Sequence, residues 1–172
     1  MKRRYPVLVS FVLALVMTTL VWAAVGAGSA VQRGGPLYGY VATSTGDDLI
    51  VFDLSSNDVV PPDIDLLQEG NYPYDVTMNG DGSEVWIAGA SGEGVIVVET
   101  ISNTILHRIP NLGGYPVDVI FGRDGNVAYV SNRDTVDDIV IVDTATYTAV
   151  GTIDVPDSYL GPGKMAVNQC SG

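Results

Sequence analysis

The sequence predicts an all-β fold of short antiparallel sheets stacked on one another, and three observations point to it. Turn formers dominate the 172 residues: there are 20 glycines, and 16 aspartates against four glutamates. Asp, Gly and Asn favour turns, whereas the exposed-face helix formers Glu, Lys and Gln are scarce. Second, a block of about 44 residues recurs along the chain, and internal periods of that size mark repeat architectures. Third, Asp-Gly turns separate β-branched runs, a strong short-range hairpin signal because Gly accepts the positive φ such turns need. One Cys and one His exclude a disulfide scaffold and a zinc site built from repeated Cys and His.

The chain begins with an export signal. Met1-Lys2-Arg3-Arg4 is basic, Val7 to Val25 is apolar, and Gly26-Ala27-Gly28-Ser29-Ala30 supplies small residues for signal peptidase. Cleavage is expected after Ala30, with Ala27 the second choice. The alternative is an uncleaved anchor, since about twenty apolar residues can cross a bilayer. Residues 1–30 are therefore read as a secretory signal peptide, 31–37 as a short linker, and the remainder as exported to the periplasm, cell surface or outside. That exported part holds all 20 acids but only Arg33, Arg108, Arg123, Arg133 and Lys164 as cations, a net charge of −15. So acidic a surface repels phosphate backbones and argues against nucleic acid as a partner. A membrane enters only through an uncleaved leader. Cys170 has no partner cysteine in the chain.

Three segments align in the exported part: Tyr38 to Ala42, Glu84 to Ala88 and Ala128 to Asn132. Their aromatics Tyr40, Trp86 and Tyr129 lie 46 and 43 residues apart. Each leads through a polar loop to an apolar run ending in an acid: Leu49 to Asp53, Val95 to Glu99, and Ile139 to Asp143. A further strand follows at Val59-Val60, Thr104 to Leu106 and Ala149 to Ile153. A proline then recurs at Pro73, Pro116 and Pro162, and the first two open strands that run into Asn79-Gly80-Asp81-Gly82 and Gly122-Arg123-Asp124-Gly125. Four strands in about 44 residues match a propeller blade. The third strand of each repeat is continuously apolar, as expected where both sheet faces are covered by neighbours. Blades are expected at about 38–66, 73–109 and 116–155, with the next starting at 162. Closed propellers have about 4 to 8 blades, so about three blades imply the N-terminal part of a larger propeller, or self-assembly if the chain is complete.

These residues resemble the YVTN-type β-propeller repeat family, whose members are exported or surface-layer proteins. Tyr129-Val130-Ser131-Asn132, followed by Ile139 to Asp143 and Thr152-Ile153, carries the likeness best. Tyr40-Val41-Ala42-Thr43 and Trp86-Ile87-Ala88-Gly89 lack the Asn. The resemblance spans about residues 38–168 and implies a partial propeller over 38–172. It extends to lactonase-type propellers and the haem-d1 propeller, but a His pair for haem cannot come from His107 alone.

Several residues are candidates for function. Asp75 and Asp118 each stand two residues after the repeated proline. They are read as channel-lining carboxylates that hold a ligand or cation, or that accept backbone amides of a neighbouring loop and set blade spacing. Asp47, Asp48, Arg133, Asp134 and Asp137 fall in loops after second strands, and Tyr72 and Tyr115 just before first strands. Propeller ligands dock on that loop face, so these residues would bind calcium, a carbohydrate or a protein, or form a solvated acidic rim. Asn79 to Glu84 resembles a calcium loop but puts Glu84 and Ala90 where an EF-hand needs Gly and a bidentate Glu, which favours a hairpin turn. His107 is placed on an outer strand, and no catalytic residue is assigned. The leading expectation is an exported, non-enzymatic binding or scaffold module with calcium the one candidate cofactor. The alternatives are a lactonase-like hydrolase with a carboxylate-bound divalent cation, or part of a haem-d1-like electron-transfer propeller.

Overall fold

The computed structural model describes residues 37–43, 45–66, 72–89, 94–133, 138–156 and 162–168, and among these described residues there are twelve strands and no helix. The leader, most of the linker, Asp134, Asp137 and Cys170 lie outside the described residues. Pro36–Gly172 form one compact unit. Among the described residues no helix is long and apolar enough to cross a membrane.

The strands fall into three antiparallel sheets, one per repeat. The first blade holds β1 (Tyr38–Thr43), β2 (Asp48–Asp53), β3 (Asp58–Val59) and β4 (Ile64–Asp65), with β2 flanked by β1 on one side and β3 and β4 on the other. The second runs β5 (Pro73–Met78), β6 (Glu84–Gly89), β7 (Gly94–Glu99) and β8 (Thr104–Ile109) in sequence order. The third repeats this with β9 (Tyr115–Phe121), β10 (Val127–Arg133), β11 (Asp138–Asp143) and β12 (Thr148–Asp154). The stack is open, with no contact closing a ring among the described residues.

Two details depart from expectation. The outer strand of the first blade, expected at Val59-Val60, is split into β3 and β4 around Pro61-Pro62. Prolines lack the N–H that a ladder requires, so pairing with β2 is interrupted there. The strand expected from Pro162 does not appear as a sheet strand: 162–168 joins none of the three sheets among the described residues.

Blade stacking forms the core, in two layers. Val85, Ile87, Ile96 and Val98 of the second blade pack on Leu49, Val51, Ile64 and Leu66 of the first. The opposite face, Trp86, Ala88, Val95 and Val97, packs on Val119, Ala128, Val130, Val140 and Val142 of the third. The central β7 is therefore buried along Gly94 to Val98, whereas β2 and β11 alternate in burial because only one face of each has a neighbour. Gly94 permits the tight entry to β7: its φ is +84°, and an added Cβ would lie 1.8 Å from the Ile109 carbonyl oxygen.

Candidate functional site

Asp75 and Asp118 sit on successive inner strands, and each reaches forward to the backbone of the next repeat. Asp75 Oδ2 accepts the Val119 N–H at 3.3 Å, and Asp118 Oδ2 accepts the Met165 N–H at 2.5 Å. Val119 and Met165 each follow directly on the next repeat's equivalent of the aspartate. Their aim follows from an extra residue in the ladder: Pro73 faces Gly89 and Asp75 faces Ala88, leaving Tyr74 unpaired, and the third blade shifts at Ser131/Asn132 in the same way. Such bulges redirect side chains beside them.

Lys164 completes the group. It stands two residues after Pro162, the register position that Asp75 and Asp118 occupy in their own repeats. Its ammonium contacts the Asp75 carboxylate and lies 3.0 Å from Asp118 Oδ1. Burial alone would lower the Lys164 pKa, but the hydrogen bonds and charges of the two carboxylates outweigh it and raise the value. Asp118 is almost wholly buried and Asp75 nearly so, whereas Lys164 remains 64% exposed. The carboxylates thus hold an amide each and share one cation supplied by the chain itself. Ser131 anchors the same segment, its hydroxyl donating to the Gly163 carbonyl at 2.9 Å.

The loop face carries a second group. Tyr72, Tyr74 and Tyr115 are about half exposed. Arg133, opposite Tyr115 in the β9–β10 register, donates to the Tyr74 hydroxyl at 3.3 Å and lies 5.4 Å from the centre of its ring. This cation–π contact bridges the second and third blades. Asp47 ties the first blade in: Oδ1 accepts the Tyr72 N–H at 3.1 Å and its carbonyl accepts the Leu66 N–H. Asp48 is a ladder residue whose N–H donates to the Thr43 hydroxyl. Asn132 is buried beneath this face, donating to the Leu112 carbonyl at 2.5 Å, and its Oδ1 has no partner among the described residues.

A third cluster joins the outer parts of blades two and three. Tyr147, in the β11–β12 turn, donates to Glu84 Oε1 at 2.5 Å, and Trp86 Nε1 donates to Oε2 of the same carboxylate at 2.8 Å. The Tyr147 ring stacks on His107 at 3.9 Å and on Trp86 at 5.9 Å. Burial, with the hydrogen bond to and charge of Glu84, pushes the Tyr147 phenol up to about 12. Glu84 is thereby turned away from the Asn79–Ser83 turn, which is a hairpin: Asn79 N–H donates to the Glu84 carbonyl and Asp81 accepts the Ser83 N–H. His107 is exposed on β8 and stacked rather than aimed at a nucleophile.

Of the residues singled out in the sequence, the structure groups Asp75 with Asp118, and brings Tyr72 to Asp47 and Arg133 toward Tyr115. Lys164, Tyr74 and Tyr147 escape a reading by residue type. Lys164 is detectable only by carrying the Pro-x-Asp register into the last repeat, where a lysine breaks the pattern. Tyr74 is hidden because the bulge that exposes it leaves no sequence mark.

No family model and no curated protein matches the sequence. Solved structures do match the fold. The chain is similar to hydrazine synthase of Kuenenia stuttgartiensis, with a TM-score of 0.64 and 21% identity over 73% of this chain and 34% of that one. It is also similar to U3-55K, with a TM-score of 0.57 and 13% identity over 70% of this chain and 36% of the other. The chain therefore spans about a third of the length of either. At these identities the likeness is one of all-β blade architecture.

Proposed function

We propose that this chain is an exported, non-enzymatic YVTN-type propeller module that binds a protein or carbohydrate ligand on its loop face. The carrying observation is the Tyr74–Arg133 bridge with Tyr115 opposite it and Tyr72 beside it. Exposed aromatic rings and a guanidinium on loops over rigid blades suit recognition, because they offer large contact area at low entropic loss. An aromatic ring also stacks on the apolar face of a sugar. Export rests on the basic-apolar-small pattern of residues 1–30, and it calls for a ligand met outside the cytoplasm.

The lactonase-like reading, with a divalent cation on Asp75 and Asp118, is disfavoured by what those carboxylates already hold: two backbone amides and the Lys164 ammonium. A cation there would have to displace the lysine. Probing the purified protein against arrays of immobilised glycans and peptides tests the binding reading, with Tyr74→Ala and Arg133→Ala as companions. Binding lost in both variants, with thermal unfolding unchanged, is the expected result. Binding unaffected by either variant refutes this face as the site, and a calcium-dependent rise in melting temperature abolished by Asp118→Asn revives the metal reading.

A further inference from the structure

The two seams between successive blades are closed at equivalent positions by different chemistry. Between the first and second blades, the Tyr40 hydroxyl of β1 donates to Asn103 Oδ1 in the β7–β8 turn at 3.1 Å. Trp86 is the counterpart of Tyr40 one repeat later, and Tyr147 takes the place of Asn103 in the β11–β12 turn. A neutral hydroxyl–amide pair therefore suffices to close such a seam, and asparagine adopts the left-handed backbone there more readily than tyrosine. The seam between the second and third blades instead gathers an indole, a phenol, an imidazole and a carboxylate.

Glu84 accepts from both oxidisable rings of that group. Tyr147 donates to one of its oxygens at 2.5 Å, and Trp86 Nε1 donates to the other at 2.8 Å. No cation pairs with Glu84 among the described residues, so two aromatic donors alone hold its charge. The rings lie in series from core to surface. Trp86 is wholly buried and 5.9 Å from Tyr147, and Tyr147 is 3.9 Å from the exposed His107. Burial and Glu84 push the phenol pKa up to about 12, so at neutral pH Tyr147 does not shed its proton unaided. A phenol that gives up an electron becomes far more acidic, and here a base already stands within hydrogen-bond reach of the proton.

We propose that Tyr147, Glu84 and Trp86 form a one-electron redox site in which electron loss is coupled to proton transfer. The oxidant is a diffusible oxygen- or nitrogen-centred radical that reaches the group from the His107 side and is reduced to its anion. The Tyr147 O–H bond breaks, the electron goes to the oxidant and the proton to Glu84 Oε1. A neutral phenoxyl radical is left beside a neutral carboxylic acid. When Trp86 is the ring that is oxidised, Tyr147 returns an electron to the indole and passes the same proton to Glu84, so the radical again ends on Tyr147. A one-electron reductant of the ascorbate or thiol class restores the phenol, and Glu84 gives the proton back. This site is independent of the ligand reading on the loop face.

Laser flash photolysis tests the coupling in the full chain carrying Trp22→Phe, which leaves Trp86 as the sole tryptophan. The pulse photoionises Trp86 while a cobalt(III) ammine complex takes up the ejected electron. The expected result is decay of the indole radical band matched by the rise of a phenoxyl band, slower in deuterated water. Tyr147→Phe should keep the indole radical without a matching phenoxyl rise, whereas Tyr40→Phe should behave as the parent. Glu84→Gln, which cannot take up the proton, should slow the rise about a hundredfold. Thermal unfolding establishes that each variant is folded at the assay temperature. The isotope effect needs no further variant and decides the matter if Glu84→Gln does not fold. No phenoxyl rise in the parent, an equally fast one in Tyr147→Phe or Glu84→Gln, or a rate unchanged in deuterated water overturns the proposal.

Discussion

Removing one oxygen from Tyr147 isolates what joins the outer parts of blades two and three. The backbone at Tyr147 is left-handed, with φ of 54°, while the matching turns carry Asn57 and Asn103 at 61° and 53°. A bulky side chain in that region is disfavoured by about 1–2 kcal/mol, so something must hold it. The structure shows the holders: the Glu84 carboxylate at 2.5 Å and the His107 and Trp86 rings. A hydrogen bond to a charged partner contributes about 1.5–3 kcal/mol. The site is partly open to solvent, which screens the interaction, so we expect Tyr147→Phe to destabilise by about 1–2 kcal/mol. The Phe variant keeps the stacking, so its loss is the hydrogen bond alone. Tyr147→Asn relieves the backbone but loses the oxygen and the rings, whose stacking is worth about 0.5–1.5 kcal/mol per pair; it should fall near or below Tyr147→Phe in stability. Urea denaturation followed by Trp86 fluorescence reads both, as a shifted midpoint with constant slope. There is also a pH signature. The phenol pKa rises from 10.0 to about 12 on folding, so its contribution is full below pH 10 and is lost as pH climbs toward 12. The Phe variant should lack that alkaline loss. An Asn variant more stable than the native protein, or equal alkaline sensitivity in Tyr147→Phe, refutes the clasp.

Four further expectations concern the same blades. Asp118→Ala should destabilise by about 2 kcal/mol, since it leaves the Met165 N–H without its acceptor, and Asp118→Asn should lose less because an oxygen remains; thermal unfolding distinguishes them. Lys164→Met should lower stability only slightly, because the lysine is mostly exposed although it is the one cation the two carboxylates share; melting temperatures against wild type read the difference. Gly94→Ala should destabilise by about 3 kcal/mol or more, because its Cβ collides with the Ile109 carbonyl at a positive φ; failure to obtain folded protein in a variant that also carries no other change fits this, and normal stability contradicts it. Acid unfolding should set in below about pH 4. Backbone N–H groups of Ser55 and Asn126 and the hydroxyls of Ser83 and Thr146 hold Asp53, Asp124, Asp81 and Asp143 below the ordinary carboxylate value, so their stabilisation is present above it and disappears as pH falls through the lowered values. Replacing Asp53 and Asp143 with Asn should flatten that acid limb.

The blades were legible because their signals are local. Asp-Gly turns, the 46- and 43-residue spacing of Tyr40, Trp86 and Tyr129, and the apolar third strands each mark one piece of a repeating unit. The acid closing each third strand recurs for a reason the structure supplies: Asp53 accepts the Ser55 and Ser56 N–H groups, and Asp143 those of Ala145 and Thr146, shaping the turn that follows. The candidate sites were less legible because they form between repeats. Nothing local distinguishes Asp75 as a ligand of metal from Asp75 as an acceptor for Val119, 44 residues later. Tyr147 sits where its counterparts are asparagines, so only the alignment of turns, with the knowledge that this turn meets Glu84, gives it meaning. Split pairing in the first blade was likewise hidden, since Pro61-Pro62 reads as a loop until β4 is seen to resume on β2.

The substitution of lysine for the third aspartate carries the electrostatic logic of the inner strands. Asp75 and Asp118 stand at equal positions on adjacent strands, so their charges come close wherever the sheets stack. Two carboxylates held in a partly buried place repel unless each is compensated. Backbone amides compensate only partly, and a third aspartate at residue 164 would add repulsion without adding a donor. Lysine reverses this: one ammonium reaches both carboxylates while the Met165 N–H still completes Asp118. Because Lys164 is mostly exposed, the ion pairs alone add little stability; their consequence is registry, since the contacts form only when 162–168 lies in the position an inner strand would take. Lys164→Asp should therefore disturb the placement of that segment more than the blades themselves. Hydrogen exchange at Met165, fast in the variant and slow in the native protein with β5–β7 amides unchanged, checks it, and equal exchange at Met165 in both would show that the amide bond to Asp118 sets the register without the lysine.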